Sequence, residues 1–234
     1  MLDRALEQQH KPLTERYRHA SMLHLVWRDF RRHPMGLVGM IILVAITLMS
    51  IFAFLYPYDP ESVDQLNRFQ PPSLQHPMGT DRSGRDVMAR ILYGGRVSLV
   101  VGIAAMATAV VIGATIGGIA GYYGGILDAV LMRLTDLALS FPSLFLLIML
   151  SFLLREANIP LFQGGIASIA LVIGLTSWMS VARLVRASFL VIKEQEFVTA
   201  ARAYGASDAR IMMRHMLPNA AGPLIVNATL GVAW

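Results

Sequence analysis

Val97 to Gly125 reads VSLVVGIAAMATAVVIGATIGGIAGYYGG, a stretch without a charged residue in which Ala105, Ala109, Gly113, Gly117, Gly121 and Gly125 recur at every fourth position. A helix needs about 20 apolar residues to cross a hydrocarbon core about 30 Å thick, and this run supplies them. The four-residue period gathers the small side chains on one narrow face. Such a face lets helix backbones approach closely where lipid offers no hydrophobic drive for association. Glycine is common in membrane helices generally, yet six small residues in one register favour a packing face. We therefore expect a membrane span from Val97 to about Ala120, with helix packing at Ala105, Ala109, Gly113, Gly117 and Gly121.

The rest of the composition agrees. Hydrophobic residues make up 55% of 234 and charged residues 15%, and the mean hydropathy is +0.55, too apolar for a water-soluble domain of this size. The chain has no cysteine, so thiolate metal sites and disulfides are excluded. Its histidines, His10, His19, His24, His33, His76 and His215, all fall outside the apolar runs. That argues against an intramembrane metal site or proton relay. A formal charge of +5 could suggest nucleic acid, but basic residues flanking apolar spans are explained more simply by membrane topology.

Outward from the first stretch, Gly36 to Tyr56 is a second uncharged run, preceded by the basic approach Trp27-Arg28-Asp29-Phe30-Arg31-Arg32-His33-Pro34. A cleaved signal peptide would carry its apolar core nearer the start, so this run is expected to be a retained span. A third span is expected over about Leu137 to Leu154, with Pro142 in its first turns, and a fourth over Ile166 to Val185, stopped by Arg183 and Arg186. Asp136, three residues after Arg133, reads as a structural ion pair or cap at the entrance of the third. A fifth run, Asn219 to Trp234, carries Pro223 early and falls short of a crossing. The fold expected is all-α and polytopic, with about five spans present, the fifth incomplete and a sixth missing. The segments are a basic tail over 1–35, a span over 36–56, a loop over 57–96 and a transmembrane domain over 97–234.

Seven Lys or Arg residues precede the first span and six lie between Arg183 and Arg214, which places both segments on the cytoplasmic side. Four spans between them return the chain to that side. The loop over 57–96 is then external, although it carries five arginines and five acidic residues. Within it, Gly79 to Asp86, GTDRSGRD, has the glycine spacing of a phosphate loop but Arg-Asp where Lys-Ser/Thr should follow. A turn followed by a helix is expected instead, with Arg82, Asp86 and Arg90 forming surface ion pairs.

The most distinctive polar segment is Thr199 to Pro218, TAARAYGASDARIMMRHMLP, set between apolar runs. Ala200 and Ala201 present minimal side chains to any partner, Gly205 ends a first short helix, Ser207 can cap a second, Asp208 suits its first turn and Pro218 closes it. The geometry alone leaves two readings. One is a lever touched by another protein; the other is an interfacial element with Arg202, Arg210 and Arg214 facing lipid headgroups.

The spacing of Ala200, Ala201, Gly205 and Leu217-Pro218 resembles the EAA loop of ABC importer permeases. His76 to Leu99, HPMGTDRSGRDVMARILYGGRVSL, is similar to the segment before the second span in permeases of the dipeptide, oligopeptide and nickel importers. The basic lead-in and Tyr58-Asp59-Pro60 resemble the second, C-type permease subunit of those systems. The match runs over essentially the whole chain and departs from the pattern at Thr199, where the motif has Glu, and at His215, where it has an aliphatic residue.

This resemblance implies a type I ABC importer transmembrane fold in a bacterial inner membrane, apparently truncated at its C-terminus, with a cytoplasmic N-terminus. It implies a permease subunit for di- or oligopeptides, with nickel, glutathione or another small solute as alternatives. It also implies a second homologous permease, two ATPase subunits and an extracytoplasmic solute-binding protein as partners. No cofactor is expected in this chain, with ATP and Mg on the ATPases. The coupling loop, about 187–218, would act through Thr199, Ala200, Ala201, Arg202, Gly205, Ala206, Ser207, Leu217 and Pro218.

The spans lack the paired carboxylates or nucleophile and base of an intramembrane enzyme, and the central charges of an ion-coupled transporter. A non-transporting membrane scaffold or inactive fragment is the competing class.

Overall fold

The computed structural model describes residues 27, 28, 30–156 and 165–232; residues 1–26, 29, 157–164 and 233–234 lie outside the described residues. The chain divides into two compact units, Met1–Leu92 and Tyr93–Trp234.

The first unit carries helix α1, Pro34–Ile51, continued by a 3₁₀ turn, Phe52–Leu55. It starts two residues ahead of the expected span because Pro34, lacking an N–H, costs nothing in the first turn. The loop after it contains no strand among the described residues and is ordered by side chains bonding to backbone. Asp64 accepts from the Leu66 amide (3.0 Å) and the Asn67 side chain (2.8 Å), and the Thr80 hydroxyl accepts from the Gln70 amide (2.8 Å). Asp81 accepts from the amides of Ser83 (2.7 Å) and Arg85 (3.0 Å), which folds GTDRSGRD into a turn. Gly84 turns there at φ +75, so close to the backbone of Asp64 that no side chain would fit.

The ion pairs expected at Arg82, Asp86 and Arg90 are not the ones formed. Arg90 reaches Asp81 (2.7 Å). Asp86 is buried, receives the Ala89 amide as the cap of the following helix (2.7 Å) and faces His76 Nδ1 (2.7 Å). Helical spacing failed as a guide because Asp86 lies ahead of the first helical residue, so its partners come from the loop. The Tyr56 hydroxyl also points at Asp86 (3.4 Å), and burial followed by that carboxylate pushes its pKa up to about 12. It therefore keeps its proton and donates at neutral pH.

Helix α2, Val87–Tyr123, is 37 residues long and runs into the second unit. There follow α3, Gly125–Ser140; α4, Ser143–Glu156; α5, Ile166–Lys193; α6, Glu196–Ala203; and α7, Asp208–Arg210. A π-helical stretch, Ile211–Met216, leads from α7 into α8, Leu217–Val232. Among the described residues, three helices are long and apolar enough to cross a membrane: α1 with its 3₁₀ turn, α2 and α5. The pair α3 and α4 passes the same test together but is bent by 94° at its break.

The expected third span, Leu137 to Leu154, straddles this break. Pro142 has no N–H for the helical ladder and disfavours helical geometry at Phe141, which is extended at φ −81, ψ 137. Asp136 pairs with Arg183 of α5 (2.5 Å), not with Arg133. Two turns earlier on α3, Asp128 takes the Arg186 guanidinium in a bidentate grip (2.5 and 2.6 Å).

The core of the second unit gathers Met106, Ala109 and Tyr122 of α2, Val181, Val185 and Phe189 of α5, Val198 of α6, and Ile211, Met216, Ala220 and Leu224 from the π turn and α8. Small residues bring α2 and α5 together. A Cβ on Gly113 would lie 2.6 Å from Val181 Cβ, and one on Gly121 2.6 Å from Phe189 Cβ. On Gly117 it would press into the Ala182 carbonyl oxygen. The approach is reciprocal: a Cβ on Gly174 of α5 would meet the Ala105 carbonyl at 2.8 Å, while Ala109 is fully buried. Gly125 lies beyond the end of α2, at φ +58 with open space around it, and is not on the seam.

Candidate functional site

The segment from Glu196 to Pro218 is built from two limbs around one glycine. In α6, Val198 is fully buried, while Thr199, Ala200, Arg202 and Ala203 on the remaining faces are exposed and Ala201 is half-buried. Burying one β-branched residue in an eight-residue helix anchors the limb and leaves its outer face free.

Gly205 ends α6 as expected of glycine in a left-handed conformation (φ +75). The Ala206 amide donates to the Ala201 carbonyl (3.1 Å) and the Gly205 amide to the Arg202 carbonyl (3.0 Å). These two bonds form a Schellman motif, which satisfies carbonyls left over at the helix end. Nothing lies within 4 Å of where a Gly205 Cβ would be, and the preceding Tyr204 is 91% exposed. The turn is open to the surroundings.

Ser207 has the extended backbone of a helix cap, yet its side chain makes no cap bond, and its carbonyl accepts from the Ile211 amide (2.9 Å). Asp208 instead accepts a hydrogen bond from the Tyr122 hydroxyl at the end of α2 (2.7 Å). Pro218 does not close the second limb. It sits in the first turn of α8, where the missing N–H leaves the Arg214 carbonyl without its α-helical donor. The π stretch before it shifts pairing by one residue, so that the Leu217 amide donates to the Met212 carbonyl. Asn219 adds a side-chain bond to the His215 carbonyl (2.6 Å). Leu217 is half-buried and Pro218 exposed.

Local sequence reasoning missed the anchors. Val198, Ile211 and Met216 are the fully buried contacts of this segment, and Tyr122 lies 86 residues from its partner. Tyr204, the exposed aromatic beside Gly205, was missed as well; its only signal in the sequence is a large side chain next to a turn glycine. Among the described residues, no cluster of His, Asp and Glu could hold a metal.

Long apolar helices, two of them seated together by glycine contacts, with a polar two-limbed element tied into their core, define a polytopic α-helical membrane protein. Residues 113–234 match the family described as binding-protein-dependent transport system inner membrane component, and residues 21–72 match the N-terminal transmembrane domain of oligopeptide transport permease C. The chain belongs to the binding-protein-dependent transport permeases.

Among its relatives is the oligopeptide transport system permease protein OppC of Bacillus subtilis, 37% identical over 88% of this chain and 67% of that protein. The dipeptide transport system permease protein DppC of Alkalihalophilus pseudofirmus is 38% identical over 94% of this chain and 70% of its own length. The glutathione transport system permease protein GsiD of Escherichia coli is 35% identical over 89% and 67% respectively.

Proposed function

We propose that this chain is one of two homologous permeases lining the path of an ATP-driven importer of short peptides, and that Thr199 to Ser207 is where an ATPase subunit docks. The observation that carries this reading is the open Schellman turn at Gly205: an exposed small-residue helix face and Tyr204 on the outside, with Val198 locked into the span core on the inside. Load applied to the turn is thereby delivered to α2 and α5. Chemistry resides in the two ATPase subunits, which hold ATP and Mg, and a solute-binding protein delivers cargo from outside. The N-terminus and the Arg183 to Arg214 segment face the cytoplasm of a bacterial inner membrane, following the distribution of Lys and Arg.

The relatives named for oligopeptide and dipeptide transport support a peptide cargo, and the one named for glutathione transport fits the alternative cargo only loosely. The tagged chain, co-expressed with a homologous permease, ATPase subunits and a solute-binding protein, is expected to retain the ATPases through purification and to take up labelled di- and tripeptides in proteoliposomes. Gly205→Trp should leave membrane insertion intact and abolish uptake per ATP hydrolysed. Normal uptake by that variant, or a chain that never retains an ATPase, would overturn the docking assignment.

A further inference from the structure

The two limbs of the cytoplasmic element meet at one side chain of α2. The Tyr122 hydroxyl donates to Asp208, in the first turn after Gly205, at 2.7 Å. The Arg202 guanidinium, in the last turn before Gly205, lies over the Tyr122 ring, 5.8 Å from its centroid. Tyr122 is 5% exposed and belongs to the same core as Phe189, Val198 and Ile211. One residue earlier, Gly121 seats α2 against Phe189 and the Arg186 backbone of α5. A phenol bonded to an ionised acceptor and stacked under a cation is held from both sides by interactions stronger than neutral contacts.

We propose that Tyr122 is the positioning residue that couples the docking element to the spans. Its hydroxyl fixes the second limb and its ring fixes the first, so the angle between the limbs is reported to the end of α2. Movement of either limb under an ATPase pulls on the helix whose glycine seam holds α5. The proposal rests on the docking reading above, but asks a different question of it: which side chain transmits the load, not whether load arrives.

The test uses the complete importer in proteoliposomes, with peptide uptake and ATP hydrolysis measured together. Tyr122→Phe keeps the ring and removes the hydroxyl. It should retain the ATPases through purification and lower uptake per ATP by about tenfold, the scale of a lost hydrogen bond to a charged group. Asp208→Ala should do at least as much, since the carboxylate also faces the Tyr123 hydroxyl, and the double variant should be no worse than Asp208→Ala alone, because the Tyr122 bond is already lost in it. Asp208→Asn, which keeps an acceptor oxygen, should recover most of the coupling. Arg202→Gln, which removes the cation from the ring, should lower the ratio by a smaller factor and provides an independent readout if Tyr122→Phe does not assemble. A wild-type ratio in assembled Tyr122→Phe, additive losses in the double variant, or an unchanged ratio in Arg202→Gln would overturn the role of Tyr122. Loss of the ATPases from the wild-type chain would instead overturn the docking reading itself.

Discussion

Gly117 and Gly205 are the same residue used for opposite reasons. At Gly117 the backbone is helical and the constraint is external: the Ala182 carbonyl of α5 occupies the space a side chain would need. At Gly205 the surroundings are empty and the constraint is internal, a φ of +75 that closes the Schellman turn. The first glycine holds two spans together and the second shapes an exposed turn. Close packing and turn shape are thus separate uses of glycine in this protein.

The largest break in that contrast comes from the seam. Gly117→Val forces α2 away from a backbone that cannot rotate aside, and overpacking of this kind costs about 1–3 kcal/mol or more. A marked fall in the thermal unfolding midpoint of the purified chain is expected, with coupling and folding lost together. Gly205→Ala is expected to lose about 1–2 kcal/mol, the cost of a left-handed conformation for a residue with a Cβ. Because open space surrounds it, insertion and assembly should persist, read as normal membrane yield and ATPase retention. The smallest effect belongs to Gly222, a helical glycine in α8 with nothing within 4 Å of its Cβ site. Gly222→Ala should change stability by about 1 kcal/mol or less, in the stabilising direction. A destabilisation there as large as that at Gly117 would show that glycine content, not the α2–α5 contact, sets the sensitivity.

The seam was legible from sequence because its signal is local: Ala105, Ala109, Gly113, Gly117 and Gly121 share a register within one helix. The turn at Gly205 was legible for the same reason. What failed was every feature whose partner lay elsewhere in the chain. Asp86 read as a surface charge because its helical neighbours are arginines, whereas its partner His76 reaches it from the loop. Asp136 read as paired with Arg133, whereas Arg183 lies 47 residues away. Pro142 was expected within the first turns of one span; with the extended Phe141 beside it, it separates two helices that lie at 94°. Pro218 was expected to end a helix, and the chain continues by changing its winding.

That change of winding has a consequence for phase. In an α-helix five residues turn the chain through about 500°, leaving the side chains at either end about 140° apart. Ile211 and Met216 are five residues apart and both fully buried, and Ala220 and Leu224 extend the buried line beyond them at intervals of four. The π stretch absorbs one surplus residue, so the apolar stripe stays continuous where an unbroken α-helix would have rotated it out of the core. Removing one residue from Met212–His215 should therefore keep the stripe in phase, whereas inserting one would turn everything beyond it away from α5.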